Sequence, residues 1–431
     1  MASAEENPIQ LLQRFESRNV TFIDPAGDWP IVWDSASGVH VVDTTGRRYL
    51  DLTAAFGVAA AGHGNPRVVR AGQAQMARLC HAMGDVHPHA GKARLARELS
   101  RLTFERWGTG TGKTLFCNSG FEAVEAALKT AMLASGRAGI IAFEGAYHGL
   151  GHGALNATER PLFHEHFKRQ LGGFGRHSPF PTNAAGMRLA KRRITELLES
   201  GQTGAVLIEP IQGRGGIRVP QPGFLPWLRR ICDRHQALLI FDEIYTGFGR
   251  TGDWFACEHE GVVPDLICLG KALTGGFPLS ACVGKAATMD AWPVTEGEAI
   301  HTSTFLGHPV GCAMALANLQ EIDRRRLTTR AQTLGENALV ALAGISSPHL
   351  RLTPVGRGLM LGLEIRHRDG RPAGEVSVHL MKRMLHRGFI VLPEGDHGNV
   401  VGILPPLTIT ERQLLRAIAV LKSEIQTLTP P

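Results

Sequence analysis

Lys271, in Leu269-Gly270-Lys271-Ala272-Leu273, and Asp242, in Leu239-Ile240-Phe241-Asp242-Glu243, each stand just past an apolar run that reads as a buried strand. A lysine amine can join an aldehyde as a Schiff base, and a carboxylate can keep a pyridine nitrogen protonated so that the ring accepts electrons. The pair therefore points to pyridoxal 5′-phosphate as cofactor. Taken singly, a Lys after a strand is more often a solvated loop residue, and an Asp at a strand end is more often a helix cap.

Other segments supply what such a cofactor needs. Asn118-Ser119-Gly120-Phe121-Glu122 links the run Thr114–Cys117 to a helical pattern, where free backbone N–H groups and the helix dipole can hold a phosphate. A plain turn capped by Ser119 is the simpler account of that stretch alone. Tyr147, in Gly145-Ala146-Tyr147-His148-Gly149, lies just past the run Gly139–Phe143 and offers an aromatic face to a flat ring, or else a core aromatic. In an open α/β sheet ligands sit beyond the carboxyl ends of the strands, so these positions converge.

Two glycine-rich segments are decoys. Gly108-Thr109-Gly110-Thr111-Gly112-Lys113-Thr114 resembles a P-loop, but that motif needs glycine where Trp107 stands, and it follows a strand rather than preceding one. Gly247-Phe248-Gly249-Arg250-Thr251-Gly252 has dinucleotide-type spacing, yet no helical pattern follows it. Kinase and dehydrogenase readings fall with them.

The positioning elements are apolar runs alternating with helical patterns from residue 66 to 322. The runs are Thr114–Cys117, Gly139–Phe143, Ala205–Ile208, Ala237–Phe241 and Leu266–Leu269. This alternation predicts a mainly parallel sheet with helices on both faces. Residues 1–65 form an N-terminal unit with an amphipathic start at Leu11, Leu12 and Phe15 and short strands at 39–42 and 48–50. Residues 323–431 read as a smaller α+β domain, with a strand at 359–365. Its closing helix starts with a capping box at Thr410 and Gln413, followed by Leu414, Leu415, Ile418, Leu421 and Ile425.

Composition narrows the class. A chain of 431 residues, 43% hydrophobic and 20% charged, suffices for two domains with cores of their own. Met1–Pro8 lacks a basic and an apolar leader region and no run reaches membrane-span length, so a cytoplasmic protein is expected. Seven cysteines without a CxxC pair indicate neither disulfides nor a metal site. The net charge of +7 comes with only short basic runs, Lys191–Arg193 and Arg324–Arg326, which read as solvated helix faces rather than a nucleic-acid surface.

The continuous text Phe241-Asp242-Glu243-Ile244-Tyr245-Thr246-Gly247-Phe248-Gly249-Arg250-Thr251-Gly252, with Pro264-Asp265 through Lys271, resembles the signature of the class III (omega) aminotransferases. The likeness runs from Asp51–Pro66 to Pro405-Pro406-Leu407-Thr408-Ile409. It implies fold type I of the pyridoxal-phosphate transferases, an α/β large domain with a seven-stranded-type sheet and a small α+β domain. It implies Lys271 as Schiff-base lysine and general base, and Asp242 on the ring nitrogen. The amides of Gly120 and Phe121 would hold the phosphate, Tyr147 and Ile244 the two ring faces, and Tyr245 would lie by the phenolic oxygen. Phe56 would line the substrate pocket. Thr304 would reach across a homodimer interface to the partner's cofactor phosphate, so that the sites are shared.

Several positions depart from the family. An arginine that binds an α-carboxylate before Pro-Pro-Leu is Gly402 here, and a second, after the aromatic-His-Gly motif, is Leu150. Phe121 stands where a small residue is usual, and Tyr245 where Gln or a small residue is usual. In Glu209-Pro210-Ile211-Gln212-Gly213-Arg214 the last residue replaces a glutamate. Arg214 is accordingly expected to receive the oxo-acid carboxylate bidentately, with Glu209 beside it in the substrate pocket; an arginine pointing to solvent is the alternative. The expected activity is transfer from a terminal amine or ω-amino acid to pyruvate or 2-oxoglutarate. An isomerase (racemase or aminomutase) or a decarboxylase on the same scaffold is the alternative.

Overall fold

The computed structural model describes residues 7–25, 27 and 29–428, so the reading of Met1–Glu6 lies outside the described residues. The central sheet has seven strands in the spatial order Gly112–Cys117, Ser280–Lys285, Leu266–Leu269, Leu238–Asp242, Thr203–Ile208, Gly139–Phe143, Gly175–Ser178. Ser280–Lys285 runs antiparallel to both its neighbours, and the pairs from Leu266–Leu269 outward to Gly175–Ser178 are parallel.

Why both faces are covered is visible in the alternation. Val206, Ile208, Leu239 and Phe241 point into one apolar cluster, which also takes Leu95, Leu99, Phe224 and Leu228 from helices Ala90–Leu102 and Phe224–Arg234. Ala205, Leu207 and Ile240 point into another, packed by Ala123, Val124 and Ala127 of helix Gly120–Ser135. Each fully buried Leu, Ile, Val or Phe contributes about 1.5–3 kcal/mol relative to exposure. A polar substitution on either face of these strands would leave a buried group without a partner.

The five expected strands are present with ends shifted by up to two residues. Ser280–Lys285 and Gly175–Ser178 were not foreseen. The first reads as a short apolar stretch interrupted by Gly284; the second, Gly-Arg-His-Ser, has no strand pattern and is held by its pairing with Gly139–Phe143. A Cβ at Gly175 would lie 1.9 Å from the Asn156 carbonyl oxygen, so only glycine lets that edge strand dock.

Two four-stranded sheets complete the fold. Leu350–Arg357, Met360–His367, Val400–Ile403 and Leu392–Glu394 form an antiparallel one. Trp33–Ser37, His40–Asp43, Arg48–Asp51 and Phe389–Ile390 form the other, the last pair parallel, so N-terminal strands share a sheet with a C-terminal segment. The closing helix Glu411–Gln426 begins at the Thr410–Gln413 capping box and buries Leu414, Ile418, Leu421 and Ile425, with Leu415 outside the buried face. Helix Pro8–Phe15 is amphipathic but buries no residue.

Of the basic runs, Lys191–Arg193 lies on helix Ala184–Glu199, as expected. Arg324–Arg326 is a correction: Arg324 ends helix Pro309–Arg324, and Arg326 takes a left-handed turn (φ 48°) before helix Leu327–Ala343. Among the described residues no helix is long and apolar enough to cross a membrane.

Candidate active site

Each predicted motif begins where a strand of the central sheet ends. Asp242 closes its strand, Lys271 follows Leu266–Leu269, Gly120 follows Gly112–Cys117, Tyr147 follows Gly139–Phe143, and Glu209 follows Thr203–Ile208. These residues, with Phe121, Arg214, Ile244 and Tyr245, line one cavity of about 440 Å³.

Asp242 is buried, and both its oxygens are engaged. Oδ1 accepts the Ile244 N–H at 3.1 Å, and Oδ2 lies 2.8 Å from His148 Nδ1, which must be the donor because a carboxylate only accepts. The His148 Nε2 atom is buried without a partner. His148 was part of a motif quoted for its aromatic neighbour; its own task, fixing the carboxylate, is visible only once strands Gly139–Phe143 and Leu238–Asp242 are placed in one sheet.

The Lys271 backbone is left-handed (φ 35°) and its amine lies 4.6 Å from the centroid of the Tyr245 ring. Among the described residues its amine makes no hydrogen bond and no ion pair. Burial lowers its pKa, opposed in part by the charges of Asp242, Glu209 and Glu394. Such an amine holds its proton loosely, as a nucleophile and base must. Tyr245 is buried, its phenol pushed well up by burial and then by Glu394. Gly57 and Gly213 enclose its ring: a Cβ at either would meet ring atoms at 2.7 and 2.3 Å.

At the opposite wall, helix Gly120–Ser135 points its N-terminus at the cavity. Glu122 accepts the N–H groups of Asn118 and Ser119, at 2.6 and 3.1 Å, while the Ser119 hydroxyl is buried and unpaired. The first helical amides, those of Gly120 and Phe121, therefore remain open to an anion. Phe121 fits because the facing loop is stripped to glycine: a Cβ at Gly149 would meet Phe121 Cβ at 2.3 Å, and one at Gly151 its ring at 2.4 Å. Tyr147, half-buried, packs edge-on against Phe163 with centroids 5.3 Å apart, and Ile244 lies against Gly120 and Gly270.

Glu209 lines the cavity, but each of its oxygens accepts a backbone N–H, from Tyr147 at 3.1 Å and from Gly213 at 2.9 Å. It ties the loop carrying Tyr147 to the loop carrying Arg214. Burial pushes its carboxyl up to about 7. Arg214 does not point freely to solvent: its Nη1 donates to Glu394 Oε2 at 3.0 Å. Glu394 was not anticipated, since a glutamate in Leu392-Pro393-Glu394 carries no motif.

Two predicted residues lie apart from the cavity lining within one chain. Phe56 is 55% exposed, in a turn where Ala54, Ala55 and Phe56 all have positive φ, next to the Gly57 that abuts Tyr245 and Lys271. Three such residues in succession store strain of a kind that clusters at functional sites. Thr304 is exposed, in a loop tied to the site by a 3.1 Å hydrogen bond from Asn118 to Ser303.

The profile of the class-III aminotransferases matches residues 23–425. The chain belongs to that family. It is 36% identical over 396 residues to acetylornithine aminotransferase of Methanosarcina mazei, covering 92% of each chain. It is 37% identical over 416 residues to putrescine aminotransferase of Pectobacterium atrosepticum, covering 94% of this chain and 85% of that one. An amine transaminase structure from an uncultivated Pseudomonas species, in its PLP-bound form, superposes with a TM-score of 0.85 at 29% identity, over 96% of this chain and 99% of that one. The protein is a pyridoxal-phosphate-dependent aminotransferase of fold type I. Its cavity fits the cofactor: an open helix N-terminus with an unpaired buried hydroxyl for a phosphate, a buried carboxylate for a ring nitrogen, and an unpaired amine in the cavity lining.

Proposed function

We propose that this aminotransferase takes the amino group from a terminal amine or ω-amino acid and passes it to pyruvate or 2-oxoglutarate, with Lys271 as the Schiff-base lysine. The observation that carries this is the Lys271 amine, half-buried, depressed in pKa and unpaired, in one cavity with the Asp242–His148 pair. Putrescine, named for one relative, has a primary amine at each end, and acetylornithine has a free terminal amine, so both names favour a terminal-amine donor.

When bound, the cofactor supplies an aldehyde for the amine and a ring that takes up the electron pair left by a departing proton. The chain's residues do the rest. Lys271 Nζ lifts and returns the proton on the carbon bearing nitrogen. Asp242, oriented by His148, holds the proton on the ring nitrogen; Tyr147 and Ile244 hold the ring's faces, Gly120 and Phe121 its phosphate, and Tyr245 lies beneath the reacting amine. Arg214 takes the carboxylate of the oxo acid after leaving Glu394, while Phe56 and Glu209 bound the substrate end. In this arrangement residues 66–322 carry the cofactor, and residues 1–65 and 323–431 shape the donor end.

The enzyme works in the cytoplasm as a homodimer in which Thr304 reaches the partner's phosphate site. Supporting this, exposed Met83, Val86, Ile300 and Phe305 share a surface with Thr304, on two segments joined by the Thr302–Asp85 hydrogen bond.

The test is a half-reaction. Cofactor-loaded protein is mixed with single amines and no oxo acid while the visible absorbance of the lysine-bound cofactor is followed. Bleaching by terminal amines is the expected result. Persistence of the band with every amine, while an amino acid is racemised or loses carbon dioxide, would overturn the transaminase reading. Arg214→Ala should raise KM for the oxo acid roughly 10- to 100-fold with kcat little changed; an unaltered KM removes Arg214 from that role.

A further inference from the structure

Glu394 ends strand Leu392–Glu394 beside Val400–Ile403. Its methylene carbon packs closely on position 402, where a Cβ on Gly402 would meet Glu394 Cγ at 3.1 Å. Gly402 thus leaves room for the Glu394 side chain beside it. Of the two carboxylate oxygens, Oε2 accepts from Arg214, whereas Oε1 is buried with no hydrogen-bond partner.

The two members of the pair differ in freedom. Glu394 is 2% exposed and fixed on a strand, while the Arg214 side chain is 32% exposed on a loop. The backbones stay joined whichever way the guanidinium turns, because Gly395 N–H donates to the Arg214 carbonyl at 3.0 Å. Gly216 lets the loops touch, its virtual Cβ lying 3.3 Å from Gly395 Cα. A stationary buried carboxylate, pushed up to about 7 by burial against the pull of Arg214, lies under a movable cation and close enough to Lys271 to act on its charge.

We propose that Glu394 receives a second, cationic group of the donor, the distal ammonium of a diamine, and that Arg214 covers this carboxylate until the donor arrives. The proposal rests on the transaminase reading above and names its donor class. An incoming ammonium gives Oε1 the donor it lacks and displaces the guanidinium, which is then free for the carboxylate of the acceptor in the second half-reaction. One pair of opposite charges thereby serves both substrates in turn. A monoamine offers Oε1 nothing and leaves Arg214 in place.

The experiment compares 1,4-diaminobutane with butylamine as donors for the cofactor-loaded protein, its Glu394→Gln variant and its Arg214→Gln variant. In Glu394→Gln the ratio of kcat/KM for the diamine over the monoamine should fall at least about 10-fold, through KM, because a charge-assisted hydrogen bond is lost. In Arg214→Gln, which uncovers Glu394, the same ratio should rise. Calorimetric titration of 1,4-diaminobutane onto protein loaded with pyridoxamine 5′-phosphate, which has no aldehyde to react, should show about 10-fold weaker binding for Glu394→Gln. A ratio and an affinity unmoved in Glu394→Gln, or a ratio that falls in Arg214→Gln, would overturn the assignment. If butylamine bleaches the cofactor but the ratio stays put, only the Glu394 role fails; if neither amine bleaches it, the transaminase reading fails, and the calorimetry still decides on Glu394.

Discussion

Within the cavity Asp242 has both carboxylate oxygens in hydrogen bonds, from Ile244 N–H and from His148; behind the lining residue Arg214, Glu394 has one oxygen bonded to that arginine and the second buried and bare. Ile244 directly follows the strand that Asp242 closes, and His148 lies just past Gly139–Phe143, two strands along in the same seven-stranded sheet. The Glu394 partner is a partly exposed side chain on a glycine-rich loop. The difference separates what must not move from what must. A cofactor common to the family is met by groups whose positions the sheet fixes, and a substrate that changes between half-reactions is met by a charge pair that can come apart.

If that contrast holds, loss at the fixed end should be the more severe. Lys271→Ala removes nucleophile and base together, and donor turnover should fall by at least about 10⁴-fold, the upper range for a general base alone. Stopped-flow absorbance with a terminal amine would measure it; a variant retaining a tenth of the rate would show that another group moves the proton. Asp242→Asn keeps the shape but not the charge, and should cost roughly 10²- to 10³-fold in kcat, the range for one well-placed electrostatic group. His148→Ala acts only through Asp242. It should cost about 10-fold and shift the absorption maximum of the bound cofactor, a change that a merely structural residue would not cause.

A smaller effect probes the phosphate end. Gly149→Ala would drive a methyl into Phe121 Cβ, at a φ of 105° that alanine avoids. Since Cβ cannot swing away, the first turn of the helix must shift, and the cofactor Kd should rise by about 10-fold, in line with overpacking costs of ~1–3 kcal/mol. An unchanged Kd by fluorescence titration would mean that Phe121 does not set the phosphate position.

The same contrast explains what was legible in the sequence. The strand ends, Lys271, Asp242 and the Gly120 turn could be read because a buried parallel strand is a continuous apolar run, and the motif after it is local. Strand Gly175–Ser178 escaped because its order comes from a neighbour, not from its own side chains. His148 stood in a recognised motif, yet its partner lies 94 positions away, and only sheet order brings them to 2.8 Å. Glu394 was less visible still: the clue was the missing side chain at 402, and a glycine does not announce what fills the space it leaves. Arg214 was read as a lone cation because pairing across 180 positions follows from the register of strand Leu392–Glu394 with Val400–Ile403.

The finest contrast lies between neighbours. Beside Asp242, Glu243 is fully buried and accepts from Ala256 N–H at 2.9 Å, Cys257 N–H at 2.8 Å and the Thr246 hydroxyl. Burial outweighs these donors and pushes its carboxyl up to about 7. In the unfolded chain the same group titrates near 4.3, so between about pH 4.5 and 7 the native state holds a proton that the unfolded state has lost. Its contribution to stability is therefore complete below that window and is lost as pH rises through it. The side-chain amide of a Glu243→Gln variant has no such proton to lose. The variant should gain on the parent between pH 5 and pH 8, by on the order of 2 kcal/mol in urea unfolding. The half-buried histidines with lowered pKa, such as His177 and His259, contribute the opposite slope, but equally in both proteins, so the difference isolates Glu243. A difference independent of pH would mean that Glu243 is ionised in the fold, its charge carried by those donors. Adjacent carboxylates would then both be built for charge, and the division between a site-facing anion and a core-facing acid would be wrong at its closest point.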